Sequence, residues 1–126
     1  MREILFRGKR ADNGEWVTGL LGRYNPNFEC ANIINEFELI VPVKTETVGQ
    51  YTGLTDKNGT KIFEGNIVNF KTTAYHFKNC RIKYQSCYAR YCAIDNKGYE
   101  YPMDKTFEYE VIGNIHDNPE LIKGVE

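Results

Sequence analysis

Hydrophobic and polar residues alternate along much of this chain, and convincing helical periodicity is nearly absent. The segment from Phe107 to Val111 shows the pattern most clearly, because Glu108 and Glu110 separate its apolar residues. Alternation of this kind is typical of a strand with one solvated face. The pattern therefore predicts an all-β protein.

Two Asn-Gly pairs stand between apolar runs and predict tight hairpins, because Asn and Gly accept the positive backbone angles of a primed two-residue turn. Asn13-Gly14 separates a strand at 4–10 from one at 16–21, and Asn58-Gly59 separates 50–55 from 61–63. Further strands are predicted at 37–43, 67–70, 81–84, 88–94 and 107–111.

The one good helix start lies near the end of the chain, where Asp117 or Asn118 precedes Pro119. Either side chain could cap a helix, and proline is tolerated at the first helical position because its missing donor is not needed there. The sequence therefore predicts one short C-terminal helix over residues 118–126.

Length and composition place the chain among ordinary globular proteins. Its 126 residues correspond to one domain or one compact domain with an appendage, and its formal net charge is -1. No apolar run approaches the roughly 18 residues of a membrane span, and residues 1–7 lack the apolar centre of a signal peptide. We therefore expect no membrane partner, a cytoplasmic location and reduced cysteines.

A cluster of His76, Cys80, Cys87 and Cys92 is the one candidate for metal or nucleophilic chemistry. Zinc ligands are commonly paired at short spacing such as C-x2-C, and this cluster lacks that pattern. With His76 or His116 as a base, a thiol could act as a nucleophile, but sequence distance does not test that geometry. Motifs for nucleotide hydrolysis, serine hydrolases and zinc proteases are also absent. We therefore expect that the protein binds no cofactor or metal and is not an enzyme.

Several segments resemble the YopX family of small proteins encoded by phages and prophages. The matching segments are 2–10, 13–17, 47–54, 56–59, 62–68 and 110–121. The resemblance implies an N-terminal β portion at 1–49, an SH3-like barrel at 50–117 and a short tail at 118–126, and it implies no activity. The family usually has Asp at the position of Asn66, and we expect Asn66 to form a structural Asx turn rather than to replace a metal ligand.

Charge is unevenly distributed along the second half of the chain. Residues 71–97 hold six basic residues and one acid, whereas 98–126 hold two basic residues and seven acids. Tyrosines interleave with the basic residues, a composition that can combine phosphate contacts with base stacking. The predicted contacts to single-stranded nucleic acid are Lys71, Lys78, Arg81, Lys83, Arg90, Tyr84, Tyr88 and Tyr91.

The same charges admit other interpretations. Basic and acidic segments of two copies could steer a homo-oligomer, or the basic segment could meet an acidic host or phage protein. It could also be the solvated face of a strand, with Arg81 and Lys83 outward and Ile82 and Tyr84 inward. The sequence thus predicts a non-catalytic binding or assembly module and leaves the partner open.

Overall fold

A computed structural model describes residues 3–22 and 30–122, and it confirms the predicted all-β fold with antiparallel sheets. The chain forms two compact units, Met1–Tyr51 and Thr52–Glu126. The strands are β1 (Phe6–Lys9), β2 (Trp16–Leu21), β3 (Cys30–Ile34), β4 (Ile40–Lys44), β5 (Gly49–Thr55), β6 (Lys61–Phe63), β7 (Asn66–Lys71), β8 (His76–Gln85), β9 (Arg90–Ile94), β10 (Glu100–Pro102) and β11 (Glu108–Asn114).

In the first unit, the strand order is β4-β3-β2-β1-β5. The sheet curls, because a bridge between Arg10 and Val43 joins the end of β1 to β4. Gly8 allows this curvature, since a Cβ there would lie 3.0 Å from Cβ of Val43. The enclosed core contains Ala31, Ile33, Val41 and Val43.

In the second unit, the strand order is β10-β9-β8-β7-β11; residues 52–55 of β5 also belong to this unit, and β5 pairs with β6. One face of this sheet carries a core of Ile62, Val68, Phe70, Cys80, Ile82, Ala93 and Tyr109. A bulge interrupts β8 opposite Val68 to Phe70, where Asn79 has a φ of 54°. The bulge conceals the period of two, which explains why the sequence predicts only residues 81–84 of this ten-residue strand.

Both Asn-Gly pairs lie in hairpins as predicted, but the primed turn type is wrong. A primed turn needs positive φ at both Asn58 and Gly59, but only Gly59 has one, at 83°. The turn at Asn58-Gly59 has three residues, because the N–H of Asp56 donates to the carbonyl of Thr60 over 2.8 Å. Oδ1 of Asp56 accepts from the N–H groups of Asn58 and Thr60, both at 2.9 Å, and this fixes the alternative turn.

The predicted C-terminal helix at 118–126 is wrong for its described part, since Pro119–Leu121 forms a single 3-10 turn, and residues 123–126 lie outside the described residues. The capping oxygens are used elsewhere. Oδ1 of Asn118 accepts from the N–H of Asn114 at 3.2 Å, and the Asp117 carboxylate accepts from Nδ2 of Asn114 at 3.0 Å. No side chain caps this turn, so its first N–H groups gain no side-chain acceptor. The SH3-like barrel stays a prediction.

Candidate functional site

The β8–β9 hairpin holds most of the predicted nucleic-acid contacts, and its register assigns each to a face. Ile82 lies opposite Ala93, Lys83 opposite Cys92, and Tyr84 opposite Tyr91. Opposed residues of an antiparallel pair project to the same side, and successive residues to opposite sides. Because Ile82 and Ala93 belong to the core, Lys83 projects outward and the two tyrosines do not.

Four cations share the outer face of this hairpin. Alternation with core positions places three of them there: Arg81, Lys83 and Arg90. The bulge at Asn79 shifts the alternation by one residue, so Lys78 projects to the same face. Lys78, Lys83 and Arg90 are exposed, whereas Arg81 is half-buried. Arg81 lies in a cross-strand row between Ile67 and Ile94, both of which are buried. The accessible positive charge therefore comes from three residues.

The tyrosines are divided between two places. Tyr84 and Tyr91 pack edge to face on the core side, with ring centroids 5.1 Å apart. Tyr88 lies in the turn that joins the strands and is 58% exposed. The guanidinium of Arg90 lies 5.2 Å from its ring centroid, within cation–π range. The structure therefore brings only Tyr88 together with the outward cations.

Lys71 lies apart from the hairpin turn, in a groove of about 260 Å³ across β7, β8 and β11 that Lys78 also lines. Its Nζ pairs with Glu108 at 3.0 Å, and Lys57 pairs with Glu110 at 3.2 Å. All four side chains are about half exposed, so these ion pairs stabilise little but neutralise the acids. Sequence reasoning missed Lys57, because no local signal links the β5–β6 turn to β11.

Two members of the cysteine and histidine cluster, Cys80 and Cys92, are buried. Burial raises the pKa of the Cys80 thiol to about 11, with a smaller effect from Asp95. Burial also raises the pKa of Cys92, although Arg90 counteracts it in part. Both groups therefore stay thiols at neutral pH, which opposes a nucleophilic role. In the described residues, no three His, Cys, Asp or Glu side chains are close enough to hold a metal.

Comparison with known proteins decides the family. The family model for the YopX protein matches residues 5–123. The chain belongs to the YopX family. Its fold is similar to that in the crystal structure of protein EF1440 from Enterococcus faecalis, with a TM-score of 0.59 and 24% sequence identity; the match covers 98% of this chain and 100% of that one. No curated protein matches.

The YopX segment around Asn66 has a structural role, as predicted, but it does not form an Asx turn. Asn66 is buried, and its Oδ1 accepts from the N–H of Phe63, three residues back, at 2.7 Å. Its Nδ2 donates to the carbonyl of Gly113 at 3.3 Å. The side chain thus joins β7 to the end of β11.

Among the described residues, there is no helix with the length and apolar character to cross a membrane.

Proposed function

We propose that this YopX-family chain is a non-catalytic binding module of phage or prophage type that contacts single-stranded nucleic acid in the cytoplasm of a bacterial host. The observation that supports it is the arrangement at the β8–β9 turn. An exposed Tyr88 ring lies beside the guanidinium of Arg90, exposed Lys83 shares the outward face, and exposed Lys78 lies on the same face towards the start of β8.

Electrostatics and stacking give this arrangement its chemistry. Lys83, Lys78 and Arg90 can neutralise phosphates, which gives salt-dependent affinity without sequence preference. The Tyr88 ring can stack on a base of any kind, and Arg90 beside it can add a cation–π contribution. With about three phosphates neutralised, log affinity should fall against log salt with a slope of about -2 on a single strand.

The nearby acids leave these cations accessible. Glu108 and Glu110 are paired with Lys71 and Lys57. Glu100, at the edge of the sheet, accepts a hydrogen bond from the amide of Gln85. A homo-oligomeric role is the second candidate function, because a different surface in the first unit is apolar and exposed. Enzyme activity receives the least support from these residues.

Fluorescence anisotropy with a labelled oligothymidine tests the proposal. We expect weak binding at low salt, a loss of about tenfold or more for the Lys83→Glu and Arg90→Glu double variant, and a smaller loss with an unchanged salt slope for Tyr88→Ala. Arg81 is left intact because it is half-buried. Lys105→Glu, at an exposed loop position, serves as the control. Absence of binding at low salt, or an equal loss in the control, refutes the proposal.

A further inference from the structure

The outward face of β2, β3 and β4 in the first unit is apolar. Leu20, Ile34 and Ile40 lie opposite one another in a cross-strand row. The next row contains Ile33 and Val41, which are buried in the core, so the first row lies on the other face. Leu20 is 57% exposed and Ile40 68% exposed. A sheet face in contact with water is ordinarily polar.

The β3–β4 turn extends this apolar row. Phe37 and Leu39 are both more than half exposed. Oδ1 of Asn35 accepts from their two N–H groups, at 2.9 and 3.0 Å, so the backbone that presents them is well fixed. A cleft of about 580 Å³ lies beside the turn and is lined in part by Trp16 and Leu20. The turn and the sheet thus form one surface, here called the apolar strip: Leu20, Ile34, Phe37 and Ile40.

The area of the apolar strip fits association with another protein chain. Leu20, Phe37 and Ile40 are each more than half exposed, and a contiguous apolar patch of roughly 300 to 600 Å² is the largest that a typical soluble monomer leaves uncovered. With a polar rim, a patch in that range approaches the roughly 800 Å² that each partner contributes to a standard interface. Exposed patches of this size mark interaction surfaces.

Strand addition is not the mode of contact. A strand added to β4 would need backbone donors and acceptors at its edge. Pro42 has no N–H to donate, and its carbonyl already accepts from the N–H of Ala11 at 3.0 Å. A partner must therefore pack on the side chains of the strip rather than extend the sheet.

Charge along β4 makes the strip self-complementary. Ile40, Pro42 and Lys44 project outward in alternation with buried Val41 and Val43. Exposed Glu38 lies at one end of this line and exposed Lys44 at the other. When two copies face each other with β4 antiparallel, each Glu38 approaches Lys44 of the other copy, and the apolar rows meet between them.

We propose that the apolar strip is the docking surface for a second copy of this chain, in a two-fold dimer with antiparallel β4 strands. The proposal uses no residue of the β8–β9 hairpin. It therefore stands or falls independently of nucleic-acid binding.

Analytical ultracentrifugation over a range of concentrations tests the dimer. We expect a reversible monomer–dimer equilibrium, and Leu20→Lys or Ile40→Lys should raise the dissociation constant by about tenfold or more, because each places a charge in the apolar contact. Tyr99→Lys is the matched control, since Tyr99 is similarly exposed, at 64%, but lies in the second unit. Circular dichroism checks that each variant keeps the β spectrum.

Charge reversal tests the two-fold arrangement. Glu38→Lys and Lys44→Glu should each weaken the dimer, and the double variant should restore it, because the two positions pair only between copies. Glu46→Lys, exposed in the 3-10 turn after β4, is the charge control. A monomer at about 1 mM, or a dimer that tolerates Ile40→Lys, overturns the proposal. Failure of the double variant to restore association overturns the antiparallel arrangement.

Discussion

Asp56 should be essential as a carboxylate, and an amide should not replace it. Its Oδ1 accepts from two N–H groups of its own turn, and its Oδ2 accepts from the N–H of Val111 at 3.0 Å. The side chain is 7% exposed and links the β5–β6 turn to β11. In Asp56→Asn, the NH2 group must face a backbone N–H in either amide orientation, because every partner here is a donor.

Asp95 provides a matched control in the same turn geometry. Its Oδ1 accepts from the N–H groups of Lys97 and Tyr99, at 2.9 and 3.0 Å, but its Oδ2 accepts from the hydroxyl of Tyr101. A hydroxyl can rotate and accept a hydrogen bond from an amide, whereas a backbone N–H cannot. The Asp95→Asn variant should therefore keep all of its contacts.

The expected magnitudes differ clearly. Asp56→Asn loses a charge-assisted hydrogen bond and leaves a donor unsatisfied, at a cost of about 2 to 3 kcal/mol in the free energy of unfolding. Asp95→Asn should cost about 1 kcal/mol or less. For a chain of this length, 1 kcal/mol corresponds to a change of roughly 3 to 5 °C in the melting temperature.

Acidification gives a second measure. Burial alone would raise the pKa of Asp56, but the hydrogen bonds from Val111, Thr60 and Asn58 outweigh it, and the pKa is lowered. A depressed pKa contributes stability that is present above the usual aspartate value of about 3.9 and is lost as the pH falls through the folded value. Below about pH 4, Asp56→Asn should therefore lose less further stability than the natural chain.

Urea denaturation at pH 7 and across the acid range measures both effects. Equal losses for the two asparagine variants, or a loss under about 1 kcal/mol for Asp56→Asn, would show that the N–H of Val111 is satisfied by water. That result would refute the role of Asp56 as the link to β11.

Three further outcomes are expected. Gly59→Val should lower the free energy of unfolding by about 1 to 3 kcal/mol, because Gly59 has a φ of 83°, and an unchanged melting temperature would contradict the turn. Ala89→Gly should instead stabilise by about 0.5 kcal/mol or more, since Ala89 has a φ of 52°, and a lower melting temperature would argue against that backbone conformation. Elemental analysis of protein purified without chelator should find no stoichiometric zinc, and one zinc per chain would require His76 and the cysteines to meet.

The local pattern alone predicts much of the strand content. Glu108 and Glu110 alternate with apolar residues, and β11 follows, because a half-buried strand imposes a period of two. The Asn-Gly pairs mark hairpins correctly, because few residues tolerate positive φ. Segments from both ends of the chain also carry the YopX resemblance that the family model confirms. These features depend on residues that are neighbours in the sequence, so they can be predicted from the sequence alone.

Tertiary structure decides which residues meet. The bulge at Asn79 places Lys78 on the face of Arg81, although three residues of regular strand would separate their faces. Tyr84 packs on Tyr91 because the register opposes them, and this leaves Tyr88 as the aromatic partner of Arg90. Asp56 reaches Val111 across 55 positions. Such contacts depend on strand register and on which distant segment supplies a hydrogen-bond partner. Neither can be predicted from the residues that are neighbours in the sequence.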